Sequence, residues 1–440
     1  MGGVERRSVA ELRADLLGVQ RRLLKTHDGF VRLRVLRRVF TLVSRPDVAH
    51  RILVSGAPAY RRGFQHRNLG LTIGKGLLVS DGDVWERQRR LTRPVFERAV
   101  LGRVVDIAAE ATGALVDRWL EQSSGPVDVL DEMRRLSLRV ISLAVFGAEL
   151  PEQAGMFIET ARVSLAVASR RNILPLSLPL WAPTRLHRRR RRCLAEVDRF
   201  VYARIDERLA GDGHDDILTR LIRGYGDQAQ ASRREIRDQV VTLYFAGFET
   251  TAAALTLTWL MLGEHPRVAD RLRTELVATL GHRHPTYPQL SLLTYTRNTL
   301  KESMRLRPPV YTVPRTATAD ERIGDAHVRR GDDIVVATHV LHSCPTIWEA
   351  PQHCRPDRFE PGRLTVEQRR AYLPFGAGPR RCIGESFAMA TMMTVLAVVA
   401  RRVRLRPRDG RPVVPATEVT QFPANGLPML VDPLVPDAAR

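Results

Sequence analysis

Residues Phe375 to Glu385 read FGAGPRRCIGE, with three glycines, two arginines and one cysteine in eleven positions. Glycines at 376, 378 and 384 permit tight turns and close backbone approach. Backbone amides can then point at the Cys382 sulfur. Arg380 and Arg381 add positive field, and a helix N-terminus follows directly. All of these favour thiolate over thiol. A thiolate held in this way is a soft ligand suited to haem iron. A nucleophilic or redox cysteine would want similar treatment with a histidine base close by, and none is adjacent in sequence. A buried structural cysteine is the plain alternative, and the glycine–arginine setting argues against it.

Working outward, the chain has 440 residues and is 44% hydrophobic, enough for a sizeable globular core. The other cysteines are Cys193, Cys344 and Cys354. None forms a CxxC pair and no disulfide framework emerges, which argues against structural zinc and fits a reducing compartment. The formal net charge is +21, almost all of it arginine, because Lys25, Lys75 and Lys301 are the only lysines. Such a charge suits polyanions, membrane surfaces or acidic proteins as partners. The N-terminus has no long apolar run, so neither a signal peptide nor a membrane anchor is expected, and residues 1–30 read as a short amphipathic segment. The expected location is the cytoplasm.

From Val31 to Leu53 apolar and basic residues alternate, a strand signal. Amphipathic helices dominate from about Asp83 to Arg305, and short strands, turns and one late helix follow. No linker divides the chain, so 1–440 reads as one mainly α domain with a small β-rich corner. The run HRRRRRC, His187 to Cys193, reads as the solvated start of a helix, with a nucleic-acid or lipid-headgroup patch as the competing reading. The aromatic residues that interleave nucleic-acid patches are absent, so no nucleic acid is expected.

Ser232 to His265 reads as one long helix, with Ser232 and Glu235 as a capping box and Pro266 past its end. It is long enough to cross a membrane, but it is solitary and carries AGFETT (Ala246 to Thr251) at its centre. A central helix of a soluble core fits better, and no transmembrane segment is expected. Thr250 can turn its hydroxyl back to the Ala246 carbonyl, opening a groove that Gly247 leaves unobstructed. With Glu249 as proton source, the notch suits a diatomic ligand and a proton relay.

The thiolate loop resembles the ligand loop of the cytochrome P450 family, Phe-x-x-Gly-x-Arg-x-Cys-x-Gly, through Phe375, Gly378, Arg380, Cys382 and Gly384. Other family motifs follow in order. Glu302 and Arg305 are similar to the Glu-x-x-Arg pair, and Arg358 in PDRF would complete a buried ion triad. Trp85 and Arg89 resemble the residues that grip a haem propionate, with Arg315 and Arg380 as further propionate arginines. AGFETT is similar to the oxygen-binding groove. The pattern is that of a soluble bacterial member with eukaryote-like motifs.

The resemblance implies the family fold, with a long central helix over haem b, iron ligated by Cys382, and O2 as co-substrate. It implies a monooxygenase that places one oxygen atom in a lipophilic molecule by hydroxylation or epoxidation, with Glu249 and Thr250 managing protons. The sequence carries no flavin or iron–sulfur motif, so a separate ferredoxin and ferredoxin reductase are implied, docking on Arg87, Arg90, Arg93, Arg369, Arg370 and Arg381. Leu71, Ile73, Leu77, Leu78, Phe245, Ala246, Phe248, Val310 and Val313 are the candidate pocket, to which Val167 is added. Their apolarity points to a terpenoid. A polyketide or fatty acid is the alternative substrate, and a peroxygenase or non-oxygenating haem enzyme the alternative use of the fold.

Overall fold

A computed structural model describes residues 4–36, 38–122, 125–173, 178–211, 215–323, 326–408 and 413–434. It is mostly helical. The helix Arg233–Glu264 runs through the middle of the largest core cluster. It packs chiefly on the helix Val129–Phe146, while the late helix Glu385–Arg402 packs on Arg98–Glu121. Among the described residues it is the one helix long and apolar enough to span a membrane. Its apolar residues are instead consumed by the core: Ile236, Val240, Val241, Leu255 and Met261 are all but inaccessible. An all-round apolar helix is what a central core position selects.

The expected capping box at its start does not form. Ser232 makes no side-chain cap. Glu235 turns away to take two bonds from Arg87 and one from Gln88, because a guanidinium is a stronger partner than a backbone amide.

The β-rich corner is assembled from distant segments. The larger sheet has the order Val4–Arg7, Phe30–Val35, Arg38–Val43, Asp333–Val336, Val313–Ala317, Tyr60–Arg62. The alternation read from Val31 onward is thus a hairpin, with Phe30 opposite Val43. The chain then turns helical at Pro46–His50, earlier than the strand signal suggested. The N-terminal helix Val9–Thr26 does not offer its apolar stripe to the outside. Val19, Leu23 and Leu24 are buried on the sheet with Val31, Leu33 and Leu42. Residues 1–3 of the expected amphipathic segment lie outside the described residues.

Candidate active site

The thiolate loop is closed by backbone bonds. The Cys382 amide donates to the Phe375 carbonyl at 2.9 Å and the Arg381 amide to that of Gly378 at 3.0 Å. Gly378 has φ +68°, and a Cβ there would stand 2.0 Å from the Leu53 carbonyl oxygen. Only glycine satisfies both demands.

Cys382 is exposed by area, yet burial is the largest influence on its titration. The two agree if the sulfur opens on space inside the fold. Burial pushes the thiol up and Glu385 adds to the rise. The Gly384 amide, Arg89 and Arg381 oppose it without winning. The amide and the two arginines thus favour the thiolate as expected, but burial is the larger influence. Deprotonation here needs a cation on the sulfur, and a coordinated metal provides one.

The central helix shows which side faces that space. Leu243, Phe245, Ala246, Gly247 and Thr250 are half-buried in an otherwise buried stretch. The Thr250 hydroxyl donates to the Ala246 carbonyl at 2.7 Å, as the sequence suggested. Gly247 also meets a second need. A Cβ there would meet Ile141 at 3.2 Å, so it lets the helix Val129–Phe146 approach. Glu249 is buried and accepts a bond from Arg134 of that same helix at 2.7 Å. Arg134 also lies 4.9 Å from the Phe422 ring centroid. Burial and the nearby Glu249 raise the pKa of Glu418 on the adjoining loop. Sequence reasoning missed Arg134 and Glu418. Both lie far from Glu249 in sequence, and neither carries a local signal.

Trp85, Arg315 and Arg380 converge. The Arg380 guanidinium sits 3.9 Å from the Trp85 ring centroid, donates to the Ser80 carbonyl at 2.8 Å and pairs with Asp81 at 2.7 Å. Arg62, unforeseen, joins them from the strand Tyr60–Arg62. Burial, then Arg315 and Arg380, lower its pKa to about 9. Burial and Arg380 lower Arg315 to about 10. His66 is pushed far down by burial and by Arg62, Arg315 and Arg380. Arg62 Nε, His66 Nδ1 and Trp85 Nε1 are buried with no hydrogen-bond partner among the described residues. Such crowded cations and orphaned donors cost stability unless anions meet them. The two propionates of haem fit this set. Arg89 also stands by Trp85, 5.6 Å from its ring centroid, while its hydrogen bond goes to the Arg381 carbonyl at 3.2 Å and its field reaches Cys382.

Glu302, Arg305 and Arg358 come together as expected. Arg305 donates two bonds to Glu302, at 2.7 and 2.8 Å, with both side chains inaccessible. Arg358 reaches Glu302 at 3.4 Å. Arg305 also holds the carbonyls of His342 and Pro351, each at 2.8 Å. His342 in turn accepts from the Leu373 amide at 2.8 Å, two residues before Phe375. The helix Thr294–Leu306 is thereby clamped to the segment that leads into the thiolate loop.

The pocket candidates divide. Leu78, Phe245, Ala246, Val310 and Val313 are half-buried and can face the interior space. Phe248 is wholly buried beside Tyr244 and Phe245, and Val167 and Ile73 are core. Leu77 is buried, its amide donating to Gln239. Leu71 is exposed, with its carbonyl held by Arg190. Of the six expected docking arginines, Arg87 and Arg381 are paired with Glu235 and Glu385. Arg90, Arg93, Arg369 and Arg370 are exposed. The last two rim a cavity of about 300 Å³ with His50, Val54 and Ala377.

The family model described as Cytochrome P450 matches residues 9–428. The chain is similar to cyclooctatin synthase of Streptomyces melanosporofaciens, with 32% identity over 93% of this chain and 90% of that protein. It is also similar to cyclooctat-9-en-7-ol 5-monooxygenase of the same organism, with 31% identity over 88% of this chain and 84% of that one. Among solved structures, the cytochrome P450DA haem domain superposes with a TM-score of 0.86 at 25% identity, covering 96% of this chain and 94% of that one.

Proposed function

The chain belongs to the cytochrome P450 family, and from that premise we propose that it hydroxylates or epoxidises a terpenoid, with Cys382 as the iron ligand. The family's coarser chemistry is that of a monooxygenase using haem, a cysteine thiolate and O2. Haem supplies the iron at which O2 is activated, and thiolate donation favours O–O cleavage. The protein's own groups supply the rest. Arg62, Arg315, Arg380 and the Trp85 indole would hold the propionates. The loop around Cys382 fixes the sulfur. Thr250 keeps its hydroxyl turned along the helix to the carbonyl of Ala246, poised to exchange a proton there. Glu249 backs it as the proton-relay carboxyl, and Arg134 holds that carboxyl in place at 2.7 Å.

One observation favours a terpenoid. The half-buried candidates Leu78, Phe245, Ala246, Val310 and Val313 are all apolar, and the arginine beside the notch is already engaged by Glu249. A fatty acid would need a cation to spare for its carboxylate. The relatives whose names speak of cyclooctatin and cyclooctat-9-en-7-ol oxidation point the same way. Titrating the haem protein with cyclic diterpenes and with C12–C16 fatty acids tests this through the substrate-induced Soret shift. Diterpenes should shift the band at micromolar concentration and fatty acids should not. Tighter binding of fatty acids would reverse the assignment. Electrons would come from a separate acidic ferredoxin and its reductase.

A further inference from the structure

The arginine block HRRRRRC has no part in the chemistry above. It opens the helix Arg185–Leu209, and Arg185, Arg188, Arg189, Arg191 and Arg192 are exposed. Arg189 pairs with Glu159. No ion pair is recorded for Arg188, Arg191 or Arg192 among the described residues. Beside this block stand three exposed large apolar side chains: Trp181, at 77% the most exposed of its kind among the described residues, Leu178 at 60% and Leu71 at 45%. The arginines bind the backbone that presents them. Arg191 donates to the Trp181 carbonyl at 3.2 Å, Arg171 to that of Leu178 at 3.1 Å, and Arg190 to that of Leu71. Two chain segments thus lift apolar tips through a collar of cationic side chains.

We propose that this face is a docking surface for an anionic lipid bilayer, with Trp181 and Leu178 dipping into the headgroup boundary and Arg188, Arg191 and Arg192 on lipid phosphates. The proposal goes beyond the oxidation assigned above and holds whatever the substrate is. A tryptophan has an apolar body and a polar edge, which places it at a lipid–water boundary. Arginine stems cover apolar surface while their heads bond phosphate. Neither attraction alone anchors a protein firmly, but the two together do. An acidic protein would match the charge, yet it gives no reason to expose an indole and a leucine at the tip of the collar. Leu71 ends the helix Phe64–Ile73, which packs on Pro151–Ile173, so the same face lies over helices that carry pocket candidates.

The experiment uses the full haem protein and vesicles of phosphatidylcholine, with and without about one-third phosphatidylglycerol. The other tryptophans, Trp85, Trp119, Trp259 and Trp348, are buried, so lipid-dependent fluorescence reports Trp181. Sedimentation with the anionic vesicles, a blue-shifted emission and quenching by brominated acyl chains are expected, and Trp181→Phe should lose both optical changes. The triple change Arg188→Gln, Arg191→Gln, Arg192→Gln should weaken partitioning about 100-fold, with the carbon monoxide spectrum confirming the fold. Absence of sedimentation overturns the proposal. So does sedimentation without quenching, which would place the contact on another basic face. The wild-type quenching result stands even if a variant fails to fold.

Discussion

At the scale of the residue, the site turns on side chains whose burial costs more than their neighbours return. Cys382 is the clearest case, because burial outweighs the Gly384 amide, Arg89 and Arg381 and pushes the pKa of the free thiol up. Its thiolate therefore depends on iron, and its loss should be visible directly. Cys382→Ser should abolish the strongly red-shifted Soret band of the reduced, carbon monoxide-bound protein. An unchanged band in the variant would remove Cys382 from the metal. The loop was legible in the sequence because all its parts lie within eleven residues. Arg62, His66 and Arg134 were not. In a chain with so many arginines, a single one carries no mark of its destination, and only folding shows that Arg134 meets Glu249.

At the scale of the element, the clamp between the helix Thr294–Leu306 and the segment after His342 decides whether the thiolate loop has a fixed place. Removing the shared acid by Glu302→Ala would leave Arg305 charged and inaccessible. That should cost about 3–5 kcal/mol, measured as urea-unfolding free energy, against less than about 1 kcal/mol for removing an exposed partner, as in Asp131→Ala, which loses a pair with Arg135. Equal costs would mean that the triad carries no special weight. His342 adds a pH dependence. Burial and Arg305 depress its pKa to about 3, and burial depresses His339 to about 4. Unfolding restores both towards about 6.5. Between these limits the unfolded chain binds more protons, so the stability of the neutral rings is complete above about pH 6.5 and is lost as pH falls. At pH 5 the loss should be about 2 kcal/mol for each ring. His342→Gln should flatten the fall between pH 7 and 5, and parallel curves for variant and wild type would count against this account. Elements with strong periodicity, such as Arg233–Glu264, were readable. The helix Phe64–Ile73 was not, because FQHRNLGLTI has no clear apolar period and is held by its neighbours on Pro151–Ile173.

At the scale of the whole molecule, the charge of +21 is not spread evenly in effect. Part of the excess lies inside, in the cluster of Arg62, Arg315 and Arg380 beside Trp85, whereas pairs such as Arg208 with Asp216 cancel and add nothing to it. Among the described residues, two faces gather exposed arginines. One is the collar around Trp181. The other lies on the thiolate-loop side, where Arg369 and Arg370 rim the cavity beside Ala377, and Arg90 and Arg93 are exposed at the end of the helix Gly82–Thr92. Electron delivery favours the second face, because Ala377 belongs to the loop that ends in Cys382. An acidic ferredoxin would be drawn there over about a Debye length, roughly 10 Å at 0.1 M salt and 3 Å at 1 M. Steering of that kind changes association rate more than final affinity. Stopped-flow reduction by an acidic ferredoxin should therefore slow at least about tenfold between 0.05 and 0.5 M salt. Charge reversal at Arg369 and Arg370 should remove most of that dependence, whereas the triple change at Arg188, Arg191 and Arg192 should leave it intact. A salt response lost with the collar arginines would exchange the roles of the two faces, and a flat response in the wild type would remove electrostatic steering from both.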